Sequence, residues 1–501
     1  MAEEKTIIRS EQSPTIVLDD IIIDDVFEGT NEQLENQKDS KTGRQIQKEV
    51  GTDYPFITIN GYPFAVHEII NFKITSTKFV PTLKLEAVLS NTSVFKSVGM
   101  PKDGDLVSIF IRAKNDAFKP IRNDYLITYV DVGPGFAEGR GSSITIEGEL
   151  FIPNFYDERI VSFEGTTLKV LKDIAKNLGL GFATNENETK DKQKWLCAGS
   201  NFKDFINDIA ERAWKDEKSF YRVYIDFYYH LNFINVNNQI DSDDKMTAAL
   251  LDTTLLVERY NNDDQVEKKQ IEAKKLLSDA EIFNETNMFI QQYGVKNNSS
   301  DISKKWGYKS HAQFYDQKSQ KTWDIFVDPL VSTGAADKKI LLKGRATPKS
   351  ADGKAQEKYW ETQIKKYWLG IQYKDVHDKY LYSKLWNERN NVELDKMYLE
   401  AFTQRWNPNM YRGEKIPLLL IASSDLLDKS VNAAPEESED NSGTTVALQL
   451  YSGFYMISGI EILYGLTSSS EVGEEGAKPP APGITSKFLL SRREWPVPAT
   501  G

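Results

Sequence analysis

A set of four strand-like segments occurs twice in this chain, once near its start and again near its end. The first copy runs through Phe79 to Ser90, Pro101 to Ile111, Asp124 to Gly133 and Ser142 to Leu150. The second runs through Leu394 to Gln404, Tyr411 to Ile421, Gly453 to Gly465 and Ile484 to Glu494. In each, the first strand leads to a glycine-plus-acid turn, Gly104-Asp105 or Gly413-Glu414, and an apolar strand follows at once. Leu83, Leu85, Ala87 and Leu89, and again Val107, Ile109 and Ile111, alternate with the period of a half-buried strand. Such a chain must fold two similar small antiparallel units. That plan is unusual for an enzyme and suits a subunit that doubles the symmetry of a ring.

The first unit opens on Ile57-Thr58-Ile59 followed by Asn60-Gly61, a strong hairpin signal. Short strands with Gly and Pro turns suggest a small barrel or sandwich. The period changes at Gly165, where Leu168, Leu171, Ile174, Ala175 and Leu178 recur at helical spacing. Thr166 or Thr167 is the expected N-cap and Gly179 the stop. A second helix is expected after Asn201, with Phe202, Phe205, Ile206, Ile209, Ala210 and Ala213 on one face. An aromatic hairpin over Phe220 to Val236, turning near Tyr228 to His230, completes an inserted α/β unit.

The fold class read from this order is α+β and β-rich, with two similar small β-barrel domains flanking an inserted α/β domain. The expected organisation is a flexible N-terminal arm over 1–52, a first barrel over 53–163, the α/β domain over 164–240, a mixed region over 241–390, and a second barrel over 391–501. Within the mixed region, Thr253 to Tyr260, Met288 to Val295, Tyr308 to Tyr315, Thr322 to Val327 and Lys338 to Leu342 read as strands. Asp264 to Ile282 and Tyr359 to Trp368 read as helices. Two surface loops, an acidic one over Ser423 to Thr444 and another over Thr467 to Gly483, interrupt the second barrel.

No catalytic, cofactor-binding or metal-binding residue is nominated. His67, His230, His311 and His377 are far apart and lack zinc-site spacing, so each reads as a surface or satisfied core residue. Cys197, the one cysteine, allows no intrachain disulfide and reads as a small buried side chain. The glycine-rich run from Gly133 to Gly141 opens no helix, so it reads as a hairpin loop rather than a phosphate cradle. The net charge of −12 argues against general nucleic-acid binding. No segment is long and apolar enough for a membrane span, and the acidic start lacks a signal-peptide core.

The order of elements resembles the central hub proteins of contractile phage baseplates: the T4-type hub, late-control D proteins, and the N-terminal half of type VI spike proteins. The resemblance rests on the two strand sets, GTTLKVLKDIAKNLGL, NFKDFINDIAERAW, YIDFYYHLNFINV, SGFYMISGIEILYG and KFLLSRREW. It implies a non-enzymatic homotrimer whose two barrels per subunit make a pseudo-sixfold ring. The ring would adapt a hexameric tail tube to a trimeric central spike, with wedge proteins around it. The implied place is the virion tail baseplate, after synthesis in the bacterial cytoplasm. DNA would pass an acidic lumen without sequence-specific contact. The inserted α/β unit would face the spike.

Two other classes compete. A tail-associated cell-wall hydrolase would use two cleft carboxylates with shifted pKa values. A tail-fibre adaptor or carbohydrate-binding module would use the many aromatics. The internal duplication favours the hub over both, and another baseplate or tail-tip structural protein is the nearest alternative. If Lys84 and Glu86 lie on a barrel edge, exchanging their charges would disturb assembly.

Overall fold

The computed structural model of the chain describes residues 55–90, 93–112, 120–134, 142–241, 250–251, 290–298, 310–316, 319–327, 366–372, 376–403, 406, 410–419, 421–422, 446–447, 453–465 and 483–493. The arm over 1–52, the expected elements at Thr253 to Tyr260, Asp264 to Ile282 and Lys338 to Leu342, and nearly all of both surface loops and of the glycine-rich run lie outside them.

The first strand set comprises β1 (Phe56–Ile59), β2 (Tyr62–Pro63), β3 (Ile69–Ser76), β4 (Thr82–Leu89), a one-turn helix α1 (Phe95–Val98), β5 (Leu106–Ile111), β6 (Ile121–Pro134) and β7 (Ser142–Leu150). The α/β unit follows with β8 (Arg159–Gly165), α2 (Thr167–Asn177), β9 (Gly181–Thr184), β10 (Gln193–Ser200), α3 (Phe202–Glu211), β11 (Tyr221–Ile225), β12 (His230–Asn235) and α4 (Val236–Asp241). The middle carries β13 (Leu250–Leu251), β14 (Ile290–Asn297), β15 (Ser310–Asp316), β16 (Lys321–Val327), β17 (Lys366–Gln372) and α5 (Tyr380–Leu394). The second set is β18 (Met397–Thr403), β19 (Lys415–Leu419), a short pair β20 (Ile421–Ala422) and β21 (Val446–Ala447), β22 (Gly453–Gly465) and β23 (Gly483–Ser491).

The sequence duplication is a duplication of pairing. The first set is ordered β3-β4-β7-β6-β5 and the second β14-β18-β23-β22-β19. Three irregularities recur at matching places. A bulge skips Ile70 in β3 against β4 and Gln291 in β14 against β18. Another skips Thr128 in β6 against β7 and Ser458 in β22 against β23. The acid turns also match: Gly104 N–H donates to Ile127 O at 2.9 Å and Ile127 N–H to Asp105 O at 2.8 Å, while Gly413 N–H donates to Ile457 O at 2.7 Å and Ile457 N–H to Glu414 O at 2.8 Å. The Asp105 and Glu414 carboxylates then accept the amides of Lys102 and Tyr411, at 3.0 and 2.9 Å.

The sheet differs from two separate small barrels in one respect. Both sets are consecutive halves of a single 13-stranded sheet, antiparallel except where β13 meets β19. The physical reason is the length of β22. One edge of it pairs β19 through Gly453 to Met456 and then β3 through Ile460 to Tyr464. β4 is correspondingly an interior strand between β3 and β7, not an edge. Lys84 there lies 3.6 Å from Glu86 and 3.9 Å from Glu147.

The apolar face of the sheet and the α/β unit share one core, in which Phe72, Leu85, Ile146, Ile174, Phe233 and Phe488 are almost wholly buried. Each such side chain contributes about 1.5–3 kcal/mol by leaving water. Local signals account for several elements. Asn60 and Gly61 both have positive φ, 48° and 85°, as a type I′ hairpin needs. Asn201 caps α3, its Oδ1 accepting the Asp204 amide at 2.9 Å. The aromatic hairpin is β11 with β12, and Asp226 Oδ1 accepts the amides of Tyr228 and His230 at its turn, both at 2.9 Å.

Two expectations change. Thr166 stands at the N-cap position of α2 as expected, but neither it nor Thr167 caps with its side chain. Asp191, buried at 0% exposure, does so from a distant loop, accepting the Thr167 amide at 2.9 Å. Lys366 to Trp368, read as the end of a helix, begins β17 instead, which runs parallel to β15 with Ser310 opposite Lys366.

Candidate assembly interface

The place where the two sheet halves meet is built from matched side chains. Ile74 of β3 lies opposite Ile462 of β22, both at 0% exposure. Beside them the rings of Phe72 and Tyr464 stack at 5.2 Å. On the polar face a ladder of alternating charge crosses five strands. Lys73 Nζ lies 3.0 Å from Glu461, Lys487 Nζ 3.7 Å from Glu461 and 2.8 Å from Glu400, and Lys296 Nζ 3.7 Å from Glu400. Each pair is worth well under 1 kcal/mol where solvent reaches it, but the alternation penalises a slipped register.

Arg412, in the acid turn of the second half, ties this junction to the α/β unit. Its guanidinium donates to Ser458 O at 2.8 Å, to Thr77 O at 2.9 Å and to Lys78 O, and sits 4.3 Å over the Tyr224 ring. The Tyr224 hydroxyl donates back to Arg412 O. Burial pulls the guanidinium down to about 10, which leaves it cationic at neutral pH.

Gly413 has φ +87° and Gly104 has φ +88°, so alanine is strained at either. A Cβ at Gly104 meets nothing within 4 Å, whereas one at Gly413 collides with the Tyr224 hydroxyl. G104A is expected to cost about 1 kcal/mol from backbone strain, and G413A clearly more; urea midpoints of the two variants compare them directly.

A cleft of about 500 Å³ opens here between the β3–β4 turn, the C-terminal end of α3, α5 and the second half of the sheet. Within it Arg222 Nη2 lies 2.6 Å from Asp395, and its Nε donates to Asn391 Oδ1 at 2.7 Å. The two described carboxyl groups with resolved shifts, Asp124 and Glu149, do not line it. Burial raises Asp124, which accepts the Ser108 hydroxyl at 2.5 Å. At Glu149 burial pulls upward, but hydrogen bonds from Tyr156 and Lys203 hold it below the ordinary value.

The histidines divide. His67 is exposed, and His311 lies on β15. His230 is buried, its Nδ1 3.2 Å from Asp226. His377 is buried where α5 meets the α/β unit, its Nε2 facing Arg212 O at 3.2 Å and its Nδ1 accepting the Lys379 amide at 3.3 Å. Burial lowers its pKa below the usual 6.5, so the folded protein holds it neutral. The unfolded chain binds a proton there first. Stability is therefore expected to fall as pH drops below about 6.5 and to level off below the folded value. Denaturation midpoints against pH should flatten over that range in His377→Gln. Cys197 is fully buried and bonded to Ser200, as its reading required. Among the described residues no cluster of three or more His, Cys, Asp or Glu could hold a metal ion, and no helix is long and apolar enough to cross a membrane.

No protein-family model matches the chain. No curated protein matches it. Solved structures similar to it include a tail protein from Neisseria meningitidis MC58, at 8% identity and TM-score 0.44, covering 88% of this chain and 97% of that one. A 43 kDa tail protein of prophage MuSo2 from Shewanella oneidensis is similar at 10% identity and TM-score 0.44, with the same coverage of 88% and 97%. The Francisella PdpA-VgrG complex, half-lidded, is similar at 12% identity and TM-score 0.35, covering 97% of this chain and 65% of that one. Likenesses of this size fix neither the family nor the role of the chain.

What the sequence did not disclose is the junction itself. β3 and β14 belong to the repeat, yet neither stands in the four segments that repeat visibly. The signal available was Phe72-Lys73-Ile74 against Tyr293-Gly294-Val295, too short to align before the shared bulge is known.

Proposed function

We propose that this chain is a structural hub subunit of a contractile phage tail or a related injection device. Three copies form a ring of six similar sheet halves, which joins a hexameric tail tube to a trimeric central spike and lets DNA pass. The observation that carries this reading is the repeated strand order, with its bulges and its acid turn in matching places. A monomer with two quasi-equivalent halves already contains one of the contacts that a ring of halves needs. The β8–β10 ribbon supports a partner on the α/β unit: Ile160 and Leu196 share one face of it and are 87% and 66% exposed. The ring's partners in this reading are the tube protein, the spike and the surrounding wedge proteins, and the subunit has no catalytic role.

The test is the solution mass by light scattering, alone and with the candidate spike protein. A trimer in either sample is expected. A monomer in both, together with peptidoglycan hydrolysis, would replace the hub with a tail-associated enzyme.

A further inference from the structure

The repeat leaves one contact unmatched in the single chain. In the second half, the edge of β22 beyond its bulge is covered by β3. The matching stretch of the first half is β6 beyond its own bulge at Thr128. Among the described residues it pairs only with β7, because β5 ends its pairing at Leu126. At the far end of the sheet, β14 is the counterpart of β3. Among the described residues no strand pairs with its edge away from β18.

Burial marks the same gap. Val132 of β6 is 45% exposed, whereas its counterpart Ile462 is at 0%. Tyr293 and Val295 of β14 are half-buried, whereas their counterparts Phe72 and Ile74 are at 1% and 0%.

We infer that β14 of one copy adds, antiparallel, to the edge of β6 in the next copy, in the register by which β3 adds to β22. Transferring Ile460–Ser76, Glu461–Thr75 and Ile462–Ile74 through the shared bulges gives three pairs: Val130 with Asn297, Asp131 with Lys296, and Val132 with Val295. The chemistry of these pairs fits. Val132 and Val295 continue the apolar face, and Asp131 and Lys296 bring opposite charges together on the polar face. The contact is head-to-tail, with different surfaces on the two partners, so it closes into a ring when the rotation allows. It also gives a partner to two strand edges that no described strand pairs.

The inference rests on the ring reading, and the test separates the two. V132C and V295C are introduced together into the full chain, whose own Cys197 is buried, and the protein is oxidised gently. Directly opposed residues bring their Cα atoms to about 4.5–5.5 Å, within disulfide reach. The expected result is loss of the monomer band to linked dimers and trimers on a denaturing gel. V130C with V295C, two residues out of register, should keep its monomer band. In the unaltered chain, a zero-length carbodiimide should join Lys296 to Asp131 between copies, which covers the case of a double variant that folds poorly. Oligomers by light scattering without either link, or with equal linking in both cysteine pairs, would overturn this strand pairing and leave the ring standing. A strict monomer with no link, both alone and with the candidate spike protein, would overturn both.

Discussion

Replacing Asn387 with leucine is expected to lower the unfolding free energy by about 4–6 kcal/mol, enough to threaten a fold of ordinary stability. Asn387 is 1% exposed and serves three backbone groups at once. Its Oδ1 accepts the Tyr221 amide at 3.0 Å, and its Nδ2 donates to Glu211 O at 3.0 Å and Ala213 O at 2.8 Å. It therefore completes both the edge of β11 and the carbonyl end of α3. Leucine has the same branched skeleton and is larger, so the loss is not a cavity. It is the desolvation of three groups, each worth about 1–3 kcal/mol when stranded. Asn387→Asp keeps the acceptor but sets a buried carboxylate against both carbonyl oxygens, so at neutral pH it should cost at least as much. Asn391→Leu should cost less than N387L, since Asn391 is only half-buried, although it donates to Tyr221 O and Asn387 O and accepts from Arg222. Chemical denaturation monitored by tryptophan fluorescence reads all three, and a loss under 1 kcal/mol for N387L would refute the clamp.

Arg412→Met is expected to cost about 3–5 kcal/mol: three carbonyls lose hydrogen bonds from a charged donor, worth about 1.5–3 kcal/mol each, and water makes up part of that at the exposed Lys78 O. Two of those carbonyls, Thr77 and Lys78, end the strand that crosses between the halves. The damage should therefore appear first at the junction, as faster amide exchange in Phe72 to Ser76, before the global transition moves. Arg412→Lys keeps the charge but not the planar fork that reaches three acceptors, so it should recover less than half of the loss. Unchanged exchange in β3 in the methionine variant would show that the junction holds by its apolar pairs alone.

Much of this architecture could be read from local signals. Alternation places Leu83, Leu85 and Ala87 in β4, and Asn60-Gly61, Asn201 and the Tyr228 to His230 turn act through their nearest neighbours. Three features were hidden because distant chain segments decide them. The cap of α2 comes from Asp191. The strand at Lys366–Gln372 forms because β15 lies beside it. Helix α5 buries Ser383, Asn387 and Asn390, so it shows no apolar stripe, and its polar face points inward to satisfy other backbones. The candidate interface was legible as a repeat but not as residues. Its register depends on two bulges, which are visible only once strands are paired.

The junction between β3 and β22 also has a consequence for how the protein is made. Ser76 cannot meet Ile460 until nearly the whole chain has left the ribosome. At about 5–20 residues per second, the β3 edge waits on the order of tens of seconds after its own half is complete. During that time Phe72 and Ile74 lack their final cover, and a nascent neighbour on the same message offers the same strands. The duplication that suits a ring thus makes wrong pairing between young chains a hazard of synthesis, one that lessens with wider spacing of ribosomes on the message and with faster translation of the segment between the repeats.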